Sequence, residues 1–309
     1  MNSTRMKIAL SLVGALLVFG SVQAGPLRGL LMQRRGGMSQ RYSREVVLPP
    51  NVSVQRDVAY GSDPQQRFDV YIPAQAHDAP VIMMVHGGGW QRGDKAMSNV
   101  VQNKLDRWVP RGFVLISVNY PMLPQTDPVQ QARSVAQALS FAQRHATEWG
   151  ANPREFILMG HSAGAHLVSL ISAEPMMALS IGAQPWLGTV ALDSAAFNVA
   201  TIMRGPHLPL YDRAFGNDPA FWNAASPIAQ LHGRITPFLA VCSSQRRESC
   251  PQAQAFVDKA RTFGTQARVL PENLTHEEIN EQLGEPSGYT SQVEAFMATL
   301  DPAVARLLR

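Results

Sequence analysis

Gly160-His161-Ser162-Ala163-Gly164 follows the apolar run Phe156-Ile157-Leu158-Met159 and precedes Ala165-His166-Leu167-Val168-Ser169-Leu170-Ile171. That order reads as strand, tight turn, helix, the setting in which G-x-S-x-G marks a nucleophile elbow. A serine on so sharp a turn sits on a strained backbone. Bulky side chains two residues to either side would meet the crossing chain, and Gly160 and Gly164 remove them. The first N–H groups of the following helix have no intrahelical acceptor, so they can face a negative charge developing on the serine side. The plainer reading is a serine in an ordinary strand-to-helix turn, and the flanking strand and helix favour the elbow.

Strands and helices alternate outward from this turn. Strand patterns at 54–60 and 67–72 flank the turn signal Gly61-Ser62-Asp63-Pro64. Short apolar runs at 80–85, 113–118, 187–192, 237–242 and 266–270 read as further buried strands. Helical spacing covers 128–149, where Val129, Ala132, Val135, Ala136, Leu139 and Ala142 share a face, and also 163–173, 252–263 and 290–300. This order predicts right-handed crossovers and a mostly parallel sheet in an α/β fold. Functional groups then gather at the carboxyl ends of the strands. The stretch 197–231 breaks the rhythm. It mixes Met203, Leu208, Tyr211, Phe215, Phe221 and Trp222 with Gly and Pro, is too long for a plain loop, and reads as a small cap insertion beside the site.

Nucleophilic catalysis by serine needs a base, a group that orients the base, and donors for an oxyanion. His86-Gly87-Gly88-Gly89-Trp90 closes the run at 80–85 and offers backbone N–H groups unobstructed by side chains. Gly88 and Gly89 are therefore candidate oxyanion donors together with Ala163. His86, Trp90 and His161 flank these positions and are expected to line the substrate pocket. Of the histidines after the elbow (His166, His207, His232 and His276), only His276 lies just past the last strand, where the base belongs. The zinc motif H-E-x-x-H is not completed there, because Asn280 occupies the second ligand position. For the acid, Glu248 is the one carboxylate between Asp218 and Asp258 and follows the run at 237–242. Asp193, at the end of the preceding strand, is the rival. Glu248 also lies between Cys242 and Cys250, the two cysteines of the chain, which can bridge a loop in an oxidising compartment.

The chain has 309 residues, 45% hydrophobic and 16% charged, which suits one large globular domain. Arg5 and Lys7 precede an apolar run from Ile8 to Phe19, and Val22-Gln23-Ala24 offers a small-residue cleavage site. Residues 1–24 thus have the pattern of a secretory signal peptide, and residues 25–50 read as a flexible leader to a catalytic domain over 51–305. Loss of Arg5 and Lys7 takes the formal net charge from +4 to +2. The absence of a Lys/Arg run excludes nucleic acid as the expected partner, and no further segment reaches the length of a transmembrane helix. The expected location is periplasmic or secreted, with no membrane anchor after cleavage.

Together these residues resemble the α/β-hydrolase fold, and within it small esterases of the hormone-sensitive-lipase and arylformamidase-like groups. His86-Gly87-Gly88-Gly89-Trp90 matches their HGGGW segment, and GHSAGAHL from Gly160 to Leu167 matches their elbow. The resemblance implies Ser162 as nucleophile, His276 as base, and hydrolysis of small-molecule carboxylic esters through an acyl-enzyme, with no metal or organic cofactor. An arylformamidase-like amide hydrolase is the alternative, and a non-catalytic binding protein on the same scaffold a third reading. Those families usually carry Asp a few residues after the seventh strand, where this chain has Arg246 and Arg247. Cutinase-like enzymes hold their acid in a disulfide-closed loop similar to 242–250.

Overall fold

An eight-stranded sheet carries the fold, in the order β1-β2-β4-β3-β5-β6-β7-β8. The strands are β1 (Val52–Ala59), β2 (Arg67–Pro73), β3 (Ala79–Val85), β4 (Val114–Val118), β5 (Ala151–His161), β6 (Gly188–Leu192), β7 (Phe238–Ser243) and β8 (Ala267–Glu272). β1–β2 and β2–β4 pair antiparallel, and every pair from β4 to β8 is parallel. The computed structural model describes residues 45–309, so the expected signal peptide over 1–24 and residues 25–44 of the expected leader lie outside the described residues. No helix among the described residues is long and apolar enough to cross a membrane.

Strands buried on both faces need mostly apolar residues, which is why 80–85 reads as an unbroken apolar run and 187–192 as one interrupted by the buried, hydrogen-bonded Thr189. Alternate residues serve two cores. Val81, Met83 and Val85 join one cluster with Val135 and Leu139 of α2 (Pro128–His145) and with Leu167 and Ile171 of α3 (Ala163–Ala173). Ile82 and Met84 join the opposite cluster with Val101, Leu105 and Trp108 of α1 (Ser98–Trp108) and with Val293 and Met297 of α5 (Gly288–Met297). A third cluster seats α4 (Ser249–Thr262) through Phe256 and Val257 on Phe238 and Ala240 of β7.

Some expected boundaries shift for physical reasons. The leader ends before residue 50, because Val46 is buried in the second core and Val47 exchanges backbone hydrogen bonds with Gln102 of α1. The domain runs past 305: Pro302–Leu307 is a helix whose Val304 is buried. The expected cap resolves into four short helices, Val199–Arg204, Pro209–Phe215, Pro219–Ala224 and Pro227–Gln230.

Helix α1 has no counterpart in the sequence reading. Its core face carries Lys104, 1% exposed, which breaks the apolar stripe. The Lys104 ammonium donates to the backbone and side-chain oxygens of Asn280 at 2.7 and 3.0 Å. Burial lowers its pKa to about 7, against the opposing attraction of Glu281. The unfolded chain keeps that proton up to its ordinary value of 10.5, so stability contributed here is present at high pH and is lost as pH falls toward 7. In denaturant titrations, wild type should gain a few kcal/mol over K104M between pH 7 and 10, at about 1.4 kcal/mol per unit. Parallel curves for the two proteins would show that the buried amine stays charged.

Candidate active site

Ser162 stands between β5 and α3 with φ 56° and ψ −116°. Its N–H bonds Leu192 O at 2.9 Å, which ties the turn to the end of β6. Space explains the glycines. A Cβ on Gly160 would strike the Gly164 carbonyl, and one on Gly164 would strike the carbonyls of Val85 and His86. A Cβ on Gly87 would come within 2.8 Å of Ser162 Cβ, so the glycine loop lies directly against the serine. Gly88 and Gly89 have φ 122° and 62°, the left-handed region that favours glycine. Among the described residues the N–H groups of Gly88 and Gly89 have no acceptor. Ala163 opens α3, so its N–H lacks an intrahelical partner as well.

His276 Nε2 lies 2.8 Å from Ser162 Oγ, and His276 Nδ1 lies 2.5 Å from Asp193 Oδ2. His276 opens the helix His276–Glu281, which is fixed by a capping box between Thr275 and Glu278. The Asp193 side chain is fully buried at the end of β6, with φ 55°. Its Oδ1 accepts from the Ser243 N–H at 2.8 Å and from the Ser249 hydroxyl. Its Oδ2 also accepts from Arg246 Nη1 at 2.5 Å. Burial pushes the carboxyl up, but the bond from His276, the Arg246 charge and the Ser243 N–H outweigh it and hold Asp193 well below the usual carboxylate range. The carboxylate that bonds the His276 ring is therefore Asp193, not the expected Glu248.

Glu248 is not at the site. Its side chain is 61% exposed and pairs with Arg247 at 3.4 Å. The reason is its place at the start of α4, on the solvent side of the loop whose inner face Ser243, Arg246 and Ser249 line. The sulfurs of Cys242 and Cys250 lie at bonding distance, 2.08 Å, so the closed loop holds the partners of Asp193 and not the acid itself.

The expected pocket residues divide. His161 is half-buried beside His276; its ring lies 4.6 Å from the His276 ring, and its Nε2–H donates to His276 O at 2.9 Å. Burial and the neighbouring His276 keep His161 well below its ordinary pKa. His86 and Trp90 do not line an open pocket. His86 is fully buried, stacked on Tyr120 at 4.6 Å, and its carbonyl accepts from the Tyr120 hydroxyl. Trp90, 3% exposed, interlocks three elements. Its Nε1–H donates to His166 Nδ1 at 3.2 Å, its ring packs on Phe215 of Pro209–Phe215 at 4.9 Å, and its carbonyl accepts from Gln131 of α2. His166 in turn donates Nε2–H to Ala225 O at 2.7 Å, so both ring nitrogens are satisfied in the neutral form; burial lowers its pKa to about 4. The four short helices thus rest on the glycine loop and α3, with Arg213 bonding Gln91 at 3.2 Å.

Sequence reasoning passed over Ser243 and Ser249, which are ordinary serines until the loop folds over Asp193. Tyr211 packs against Trp90 at 5.9 Å; burial raises its pKa and the charge of Arg246 opposes that rise.

Comparison with known proteins finds esterases among the similar chains. The BD-FAE family model matches residues 68–180. The isoprenylcysteine alpha-carbonyl methylesterase ICME of Arabidopsis thaliana is 25% identical over 73% of this chain and 57% of its own length. Esterase LipQ of Mycobacterium tuberculosis is 29% identical over 59% and 45%, and the kynurenine formamidase of Danio rerio 32% identical over 37% of each. The chain spans between 26% and 57% of the length of the first curated relatives it matches. Esterase B from Lactobacillus rhamnosis superposes with a TM-score of 0.70 at 19% identity, covering 91% of this chain and 94% of its own. The fold is the α/β-hydrolase fold.

A serine aligned with a histidine and a buried carboxylate reacts fast with phosphonylating reagents. Fluorophosphonate labelling should be abolished in S162A, slowed by several orders of magnitude in D193N, where an amide favours the wrong imidazole tautomer, and unchanged in E248Q. Slow labelling confined to E248Q would return the acid to the loop after β7.

Proposed function

We propose that the chain is a serine carboxylesterase acting on small to medium acyl or aryl esters. The observation that carries this reading is the continuous hydrogen-bonded line from Ser162 Oγ through His276 to Asp193, set against unpaired N–H groups of the glycine loop. His276 takes the hydroxyl proton as Ser162 attacks the ester carbonyl. Asp193 keeps the proton on Nδ1, so Nε2 remains free to accept. Gly88, Gly89 and Ala163 N–H groups receive the oxyanion; loss of one such donor typically costs about 3 kcal/mol of transition-state stabilisation. His276 then protonates the leaving alcohol, and water repeats the sequence on the acyl-enzyme. No step draws on a metal or an organic cofactor.

The esterase relatives and the esterase B likeness support this class. The pattern of residues 1–24 supports export to the periplasm or beyond, and the bonding distance between Cys242 and Cys250 suits a disulfide in that compartment. The kynurenine formamidase relative, matched over 37% of the chain, favours a second reading, hydrolysis of an aryl formamide at the same triad.

Wild type should hydrolyse p-nitrophenyl butyrate in preference to N-formylkynurenine, and S162A should lose both activities by several orders of magnitude in kcat. Preference for the formamide would replace the ester reading with the amide one. Full activity in S162A would refute both.

A further inference from the structure

Arg246 and His276 reach for the same oxygen. Arg246 Nη1 lies 2.5 Å from Asp193 Oδ2 and 3.2 Å from the Asp193 carbonyl, and His276 Nδ1 lies 2.5 Å from that Oδ2. With Ser243 and Ser249 on Oδ1, four donors fill the roughly four lone-pair sites of one carboxylate. The crowding leaves Nη1 and Nδ1 2.9 Å apart. When Nδ1 carries the proton that a triad requires, these are two donors that cannot bond each other. Their approach persists because both point at Oδ2. Asp193 is fully buried, and the Arg246 side chain is 30% exposed, so this ion pair is screened less than a surface pair.

We propose, building on the triad reading, that Arg246 is a positioning residue that both holds Asp193 and offsets its charge, so that His276 is a weaker base than a lone carboxylate would make it. An ionised Asp beside a histidine attracts the imidazolium and strengthens the base. Here the imidazolium formed when Ser162 gives up its proton faces Asp193 and Arg246 together, a pair with no net charge. The imidazolium is therefore less stabilised than it would be beside a lone carboxylate. The other groups facing this cluster do not reverse the balance. His161 at the end of β5 is held neutral by burial, Tyr211 of the cap and Tyr289 of α5 are phenols with raised pKa values, and Glu248 is turned to solvent. Lys104 adds only further positive charge. Among the described residues no second carboxylate bonds the His276 ring.

The test compares wild type, R246Q and R246K, with R246M, which keeps the aliphatic packing, as the neutral variant if R246Q does not fold. Ring-nitrogen NMR reads the titration midpoint of His276 without any substrate. The neutral variant should raise that midpoint by about one pH unit, and R246K should stay close to wild type. The acid limb of kcat/KM for p-nitrophenyl butyrate should move up with it. One unit below the wild-type midpoint, the neutral variant should then sit about a hundredfold below its own plateau, where wild type sits about tenfold below its own. An unmoved or lowered midpoint overturns the proposal. So does a fall in kcat/KM at every pH with the limb in place, which would make Arg246 a packing residue. If wild type hydrolyses no ester, the triad reading fails instead, and the NMR midpoints still decide the role of Arg246.

Discussion

Three pieces of backbone meet at Ser162, and no side chain fits between them. The end of β3, the end of β5 and the first turn of α3 approach so closely that Gly87, Gly160 and Gly164 have no room for a Cβ. Ser162 is left at φ 56°, a conformation that costs an ordinary residue on the order of 1–3 kcal/mol and persists where its surroundings over-determine it. Here the surroundings include the bond from Ser162 N to Leu192 O and the α3 helix that begins at the next residue. The same convergence brings the glycine loop against the serine. The parts of the site are near one another because the crossing admits only one arrangement.

The constraint propagates along the sheet. Leu192 O accepts from Ser162, so the next residue, Asp193, is delivered beside the elbow, with its own N–H on Val241 O at 2.8 Å. His276 arrives from the turn after β8 and must reach across the end of β7 to meet Ser162. The loop that leaves β7 therefore lies under both. It supplies an N–H, a hydroxyl and a guanidinium to the carboxylate, where an acid was expected from the sequence. An acid on β6 needs donors from β7, because a buried carboxylate left unsatisfied costs several kcal/mol.

Much of this is legible in the chain. Mostly apolar runs give β3, β4 and β6, each interrupted by no more than one hydroxyl residue, because both faces of those strands are covered. The glycines at 160 and 164 mark a crossing, and position past the last strand singles out His276. Asp193 was open to reading as well: it directly follows the fully buried run Gly188–Leu192, whereas Glu248 has Arg246 and Arg247 beside it, the composition of a solvated turn. What decides between them is which side of the 243–249 loop faces inward, and no local pattern encodes that. Helix α1 hides for a related reason. Lys104 occupies a core position whose partner, Asn280, lies 176 residues away, so its burial is invisible to periodicity. Trp90 misleads in the opposite direction: an aromatic at the mouth of a glycine loop reads as pocket lining, but His166, Phe215 and Gln131 enclose it.

The loop closed by Cys242 and Cys250 bears on the geometry around Asp193 more than on global stability. A ring closed over a separation of 8 residues restrains the unfolded chain by only about 2–3 kcal/mol in the chain-entropy account, near the low end for such bonds. Its local effect is larger, because every partner of Asp193 other than His276 sits within it or at its edge. Precision matters there for a specific reason. Arg246 lies as close to His276 Nδ1 as to a bonding partner, 2.9 Å. If the loop shifted so that the guanidinium pointed at the ring instead of at Oδ2, Nδ1 would become the acceptor and the proton would move to Nε2. His276 would then donate to Ser162 and could not take its proton. The Ser249 hydroxyl and the Ser243 N–H keep the carboxylate between the Arg246 guanidinium and the His276 ring, and so hold His276 in the tautomer with the proton on Nδ1 and Nε2 free to accept.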